Sequence, residues 1–299
     1  MYTQFFGNYL IAHNYVSQEQ LFSAMQRQST KHTKLGTLAM HAGLMTASEV
    51  DAVLIEQTHQ DRKFGELAIE MGYLSNDQVI ELLKTQTPAF LRLGQVFLDD
   101  GILTNTDFEN ILANYRSENE LMDLDMILES QEAINKLFDN FLIASETTLP
   151  KDCRMFMELL FNNFIRFVGE DYTPLTIEEL REFPVEYCVK QQTLGSVSIT
   201  SYLSMDQETA IAFASRYVED TFTEFDEYVQ ASLEDFLNLH NGLFIVNLSN
   251  NESVELTIDT PERIESPILS FEHKAFHIPI LYTFGTVHFI MEVTKTNED

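Results

Sequence analysis

Basic residues are scarce in this chain: 18 lysines and arginines stand against 47 aspartates and glutamates, for a formal charge of −29 at pH 7. Such a chain repels polyphosphate at long range, which makes nucleic acid and anionic membrane surfaces poor partners. The shortage is uneven, because residues 1–118 hold 14 acids and 8 bases, which leaves −23 of the −29 to the remainder. A partner of the second half is therefore expected to be basic or to bring metal ions. Long apolar runs are missing as well. Nothing approaches the roughly 18 to 20 consecutive apolar residues of a membrane span, and the opening MYTQFFGNYL lacks the flank and core of a signal peptide, so a cytoplasmic location is expected. The two cysteines, Cys153 and Cys188, belong to no CxxC or Cys/His cluster and read as core thiols in a reducing compartment. His240, His273, His277 and His288 show no HxxxH or HExxH spacing, so no metal site is expected. The lack of a P-loop, a GxGxxG and a GxSxG removes nucleotide hydrolysis, dinucleotide redox chemistry and the common serine hydrolases.

What is present is a repeat. Glycine recurs at Gly7, Gly36, Gly65 and Gly94, 29 residues apart each time and each after an apolar residue. Seven positions later come Asn14, Gly43, Gly72 and Gly101, residue types that tolerate the left-handed conformation closing a helix. Ten positions after each repeat glycine stands Ser17, Thr46, Ser75 or Thr104, followed three residues on by Gln20, Glu49, Gln78 or Asp107. The first three pairs are capping boxes and the fourth a near match, so each marks a helix start. Behind them, apolar residues fall at helical spacing, as in Leu21, Ala24, Met25 and Phe108, Ile111, Leu112. The spacing predicts four units of short helix, turn and longer helix that stack to bury their apolar stripes.

The repeat text KLGTLAMHAGLMTASEVDAVLIEQ, KFGELAIEMGYLSNDQVIELLKTQ and RLGQVFLDDGILTNTDFENIL resembles the MshEN domain at the amino end of type II secretion ATPases, over residues 5–116. Paired copies in some members of that family bind cyclic di-GMP. The resemblance implies a nucleotide site built from Lys34, Gly36, Lys63, Gly65, Arg92 and Gly94, where a basic side chain beside a glycine NH meets phosphate. In this family's pattern the leading residue is Arg; here it is Arg only at Arg92, with Lys34 and Lys63 in two other units and Phe5 in the first.

The stretch from residue 119 to 150 reads as a helical connector with an acidic start and Pro150 near its end, separating residues 1–118 from a second domain over 151–295. Its ExxN spelling at Glu132 and Asn135 has no following glycine and reads as coincidence. An apolar-rich helix is expected from Met155 to Val168, then strands at EYCVKQ, SVSITSYL, VELTID, HIPILYTF and TVHFIMEV, with Gly285 turning between the last two. Two helices are expected between them, from about Met205 to Val218 and from about Glu224 to Leu248. The overall class is α+β, with helices packed on an antiparallel sheet in the second domain.

That order, together with GSVSITSYLSMDQETAIAFASRYV, resembles the CheX and CheC chemotaxis phosphatases, which remove phosphate from phosphorylated response regulators. The family carries ExxNxxxG on its long helix, and here the register gives Asp235, Asn238 and Gly242, with the acid one C–C bond shorter. The resemblance implies that Asn238 positions a water, that Asp235 pairs with the regulator's lysine and that Gly242 permits close approach. It also implies a receiver-domain partner that supplies Mg2+, no cofactor of the chain's own, and homodimers through sheet edges. The alternative is a non-catalytic adaptor that binds a receiver, regulated by cyclic di-GMP at the repeats.

Overall fold

The computed structural model describes residues 2–84, 87–118, 131–252 and 255–295. The acidic opening of the expected connector, residues 119–130, lies outside the described residues, as does the side chain of Glu132. The chain divides into a helical unit, Tyr9–Leu137, and a mixed unit that combines Thr3–Asn8 with Phe138–Asp299.

The helical unit holds α2 (Gln18–Gln28), α3 (Leu35–His41), α4 (Ala47–His59), α5 (Phe64–Glu70), α6 (Asn76–Lys84), α7 (Ala89–Asp99) and α8 (Asn105–Glu118), after the end of α1 (Tyr2–Ala12). Reciprocal capping hydrogen bonds join Ser17 to Gln20, Thr46 to Glu49 and Ser75 to Gln78. Thr104 and Asp107 close the same box: the Thr104 NH donates to Asp107 Oδ2 at 2.9 Å and the Asp107 NH to Thr104 Oγ1 at 3.1 Å. The shorter acid reaches. Asn14, Gly43, Gly72 and Gly101 all take the left-handed conformation, with φ between 58° and 78°.

The glycines 29 residues apart have another duty, which is closeness of the short helix to the long one. A Cβ on Gly36 would stand 2.9 Å from Val50, on Gly65 3.2 Å from Val79, and on Gly94 2.3 Å from Phe108, each time the residue fourteen places on. Phe108 is itself fully buried. Gly94→Ala therefore gains helix propensity but forces Phe108 aside, and we expect a net loss of about 1–3 kcal/mol, measured as a lower urea midpoint of the helical unit. An unchanged midpoint would show that the two helices separate without cost.

In the mixed unit the sheet orders β1 (Tyr172–Pro174), β7 (Ile268–Tyr282), β8 (Gly285–Lys295), β4 (Ser198–Met205), β3 (Tyr187–Gly195) and β5 (Leu256–Ile258), all antiparallel. β2 (Glu178–Pro184) also pairs with β7, and β6 (Glu262–Arg263) with β3. One face carries α10 (Lys151–Phe167), α11 (Gln207–Tyr217) and α12 (Glu227–Glu252) over an aromatic core in which Phe236 stacks on Phe164 and meets Phe213 edge-on, each at 5.2 Å between ring centres. Phe5 of α1 joins this unit, with its ring 5.2 Å from Phe141 of α9 (Gln131–Ala144) and 5.7 Å from Phe161. On the other face Leu180 and Phe183 from one edge and Ile264 from the other converge on Tyr202, Phe271 and Ile290, so the sheet curls.

Three elements differ from the sequence expectation. Helix α10 begins at Lys151, four residues early, because Pro150 stands at its N-cap with φ of −55°, a conformation suited to a helix entry. β7 begins nine residues before the expected His277. β2, spelled EELREFP, is a charged and mostly exposed edge strand with none of the apolar alternation that announces a strand. Both cysteines are buried thiols outside any disulfide, and burial pushes the Cys188 thiol up to about 12. Among the described residues no helix is long and apolar enough to cross a membrane.

Candidate functional site

Helix α12 places the site. Its first turn is capped by Asp226, whose carboxylate accepts from the Tyr228 and Val229 NH groups at 3.0 Å. Val229, Leu233, Phe236, Leu237, Phe244 and Leu248 are buried, which fixes the rotation of the helix. With that stripe inward, Asp235 and Asn238 are both exposed and lie one turn apart on the outer surface. They line an open groove of about 480 Å³ between α12 and residues 258–261, together with Glu234, Asp259 and Thr260.

Each side chain is held from behind. Tyr217 of α11 donates its hydroxyl to Asp235 Oδ2 at 2.6 Å. Burial and the adjacent carboxylate raise the Tyr217 hydroxyl well above its ordinary value, so it stays a donor throughout the accessible pH range. Asn238 Oδ1 accepts from Gln191 Nε2 of β3 at 2.8 Å, and the same nitrogen donates to the Asp259 carbonyl at 2.8 Å. Gln191 is buried, and its Oε1 accepts from the buried Asn241 at 2.8 Å. Glu234, a third of a turn from Asp235, reaches the same groove and accepts from Gln230 at 2.7 Å. Gly242 is partly exposed, and nothing lies within 4 Å of where its Cβ would be.

The arrangement presents one anchored carboxylate and one anchored amide to whatever enters the groove. It can pair a cation at Asp235 and orient a small polar molecule at Asn238. Sequence reasoning placed Asp235, Asn238 and Gly242 and missed Tyr217, Gln191 and Asp259. No linear signal marks those three: they come from α11, from β3 and from the turn after β5, and only the fold brings them together.

Of the positions considered for a nucleotide, those of two neighbouring units lie close together: a Cβ on Gly36 would stand 3.1 Å from the Phe64 ring and one on Gly65 3.1 Å from Leu35. Lys34 and Gly36 line a cavity of about 660 Å³ in the helical unit, with Phe64, Gln95 and Asp99. Lys34 Nζ lies 2.7 Å from Asp99 Oδ1, and Lys31 pairs with the same carboxylate at 3.1 Å. Lys63, Gly65, Arg92 and Gly94 are not among the residues lining that cavity. Arg92 instead donates to the Thr87 carbonyl at 2.9 Å, and Gly65 and Gly94 face Val79 and Phe108.

Among the described residues no three His, Cys, Asp or Glu side chains gather as a metal site. No family model matches the chain, and no curated protein matches its sequence. Several solved structures share a similar course of chain over about half of this one. CheX from Desulfovibrio desulfuricans is 13% identical, covering 48% of this chain and 99% of that chain with a TM-score of 0.42. A CheC-like superfamily protein from Shewanella sp. PV-4 is 12% identical over the same shares with a TM-score of 0.43. The Borrelia burgdorferi protein of a CheX–CheY–BeF3–Mg2+ complex is 18% identical, covering 48% of this chain and 97% of that chain with a TM-score of 0.38.

Proposed function

We propose that the mixed unit docks on the receiver domain of a response regulator and hydrolyses its aspartyl phosphate. The observation that carries this reading is the pair Asp235 and Asn238, exposed one turn apart on α12 at the mouth of a groove and each anchored by a hydrogen bond from a neighbouring element. An aspartyl phosphate is already energetic, so its hydrolysis needs chiefly a water held in line with phosphorus. Asn238 holds that water. The oxygen of the water bonds to phosphorus while the bond from phosphorus to the receiver's carboxylate oxygen breaks; the carboxylate leaves with that electron pair, and the water's protons stay with the released phosphate. Asp235 pairs with the receiver's lysine, and Mg2+ comes with the receiver.

The surroundings favour a basic partner. Glu219, Asp220, Glu224 and Glu227 are exposed in or beside the segment that leads into α12, and Asp259 is exposed across the groove. Complementary charge of this kind speeds encounter and is screened by salt. Gly242 extends the docking face: with open space around it, Gly242→Ala should raise stability by roughly 0.5–1 kcal/mol, whereas Gly242→Trp should leave folding intact and weaken receiver binding. Calorimetric melting and a binding titration read the two effects. Equal receiver affinity for glycine and tryptophan would remove Gly242 from the interface.

A second reading is an adaptor that binds a receiver without hydrolysis. It is favoured by the occupied state of Asp235, whose shorter carboxylate already accepts from Tyr217. The helical unit is read as four copies of one helix pair, and its 660 Å³ cavity with Lys34 and Gly36 is the place for cyclic di-GMP regulation. The deciding experiment phosphorylates a receiver with a small phosphodonor and Mg2+ and follows its decay with the wild-type chain and with Asn238→Ala. Acceleration lost in the variant supports hydrolysis. Binding without acceleration makes the chain an adaptor.

A further inference from the structure

We infer that Gln191 is a positioning residue that fixes Asn238 with its NH2 group, not its carbonyl oxygen, turned to the groove. The argument starts from a backbone group whose role cannot change: the Asp259 carbonyl only accepts. The Gln191 atom 2.8 Å from it is therefore the nitrogen Nε2. The same Nε2 lies 2.8 Å from the Asn238 side chain, so the Asn238 atom facing inward is an acceptor, Oδ1. Nδ2 is left on the groove side. Both hydrogens of Gln191 Nε2 are then used, and its Oε1 takes a third bond from Asn241 Nδ2 at 2.8 Å.

The chain of amides continues inward and locks. Asn241 is fully buried, and its Nδ2, besides meeting Gln191 Oε1, donates to Ser201 Oγ at 2.9 Å. Ser201 gives its single hydroxyl hydrogen to the Gln191 backbone carbonyl at 3.1 Å, which ties the network to β3. Gln191 is 2% exposed, so no water replaces a bond that a flipped amide would lose. Turning over any one of these amides sets donor against donor or acceptor against acceptor in the buried layer.

The consequence is chemical. A fixed N–H donor at Asn238 suits an oxygen acceptor: the oxygen of a water or of a phosphoryl group. The hydrolytic part of this inference rests on the function proposed above, and the orientation does not.

Two variants and two readouts, on the full chain, test it. Gln191→Glu keeps the shape but puts an acceptor where Asp259 and Asn238 need a donor, so Asn238 turns its NH2 inward. Gln191→Met removes the polar group altogether and guards against a folding defect peculiar to a buried carboxylate. We expect receiver KM within about twofold of wild type and kcat lower by about a hundredfold, the scale of a misplaced reacting group. Either variant combined with Asn238→Ala should be no slower than Asn238→Ala alone, since Gln191 acts through that residue. In 15N spectra the Asn238 side-chain NH2 should exchange quickly with water in wild type and at least tenfold more slowly in Gln191→Glu. Wild-type kcat in both variants, additive losses, or an Asn238 NH2 already protected in wild type would each overturn the assignment. If the wild-type chain accelerates no receiver that it binds, the hydrolytic reading fails, and the exchange rates alone uphold or overturn the orientation.

Discussion

Replacing Asn238 by alanine will leave receiver binding within a few-fold of wild type and slow phosphate release by about a hundredfold. The size follows from what is lost. Alanine keeps the helix, because Asn238 is exposed on α12, and what it takes away is the acceptor of the hydrogen bond from the buried Gln191 Nε2. It removes the anchored amide that holds the water in line, and misplacing a reacting group by about 1 Å is enough for a loss on the order of a hundredfold. The helix itself should gain slightly, because alanine has the higher helix propensity. Against that gain stands the Gln191 Nε2 hydrogen left without its acceptor, a cost of about 1–3 kcal/mol, so the binding titration is what separates a loss of rate from a loss of folded chain. The measurement is single-turnover decay of a phosphorylated receiver with saturating chain, beside a binding titration using a phosphate mimic on the same receiver. Equal decay rates for wild type and Asn238→Ala, with both bound, would take hydrolysis away from this site.

Much of the site was legible because it lies within one helix. A helix repeats every 3.6 residues, so the spacing of Asp235, Asn238 and Gly242 already put them on one face, and buried Phe236, Leu237 and Phe244 confirm which way that face turns. The caps were legible for the same reason: Ser17 with Gln20 and Thr46 with Glu49 lie three residues apart and bond each other. Thr104 with Asp107 was expected only as a near match, and the structure shows that a one-carbon-shorter acid still reaches the N-cap NH. What could not be read lies across strands. Gln191 is forty-seven residues from Asn238, inside a strand whose alternation says only which side chains face inward. A buried glutamine there looks like a fault in the pattern until α12 is laid over it. β2 was missed for a different reason: an edge strand survives on backbone pairing with β7 and carries charge that keeps other chains off, so its sequence resembles a loop.

The second large effect concerns acid. His240 is fully buried against Phe156 and Phe289, and burial lowers its pKa from 6.5 to about 3. Its Nδ1 is 3.0 Å from Asn163 Nδ2, so the folded chain holds the ring neutral as an acceptor. His277 and His288 stack on the outer face of the sheet, with Nε2 of the first 2.9 Å from Nδ1 of the second. Burial, and then the neighbouring ring, lower His277 to about 4, while burial lowers His288 against an opposing pull from Asp206. Folded pKa values below unfolded ones fix the sign. Above pH 6.5 neither state is protonated and these groups do not alter stability. As pH falls below 6.5 the unfolded chain takes up protons that the folded chain refuses, and each such proton removes about 1.4 kcal/mol per pH unit. His240 and His277 together give a loss of about 5 kcal/mol between pH 6.5 and 4.5, comparable to the whole stability of an ordinary domain. The chain's negative charge works the other way, since protonating crowded carboxylates relieves repulsion, but those groups titrate mainly below pH 5. All three histidines lie in the unit formed by Phe138–Asp299, so that unit should fail first. Urea titrations at pH 7.5, 6.5, 5.5 and 5.0, followed by tyrosine fluorescence and by the histidine ring protons, should show the urea midpoint falling steadily from pH 6.5. A midpoint that stays level down to pH 5 would mean that the folded unit accepts these protons, by opening the layer over His277 and His288 or by admitting water to His240.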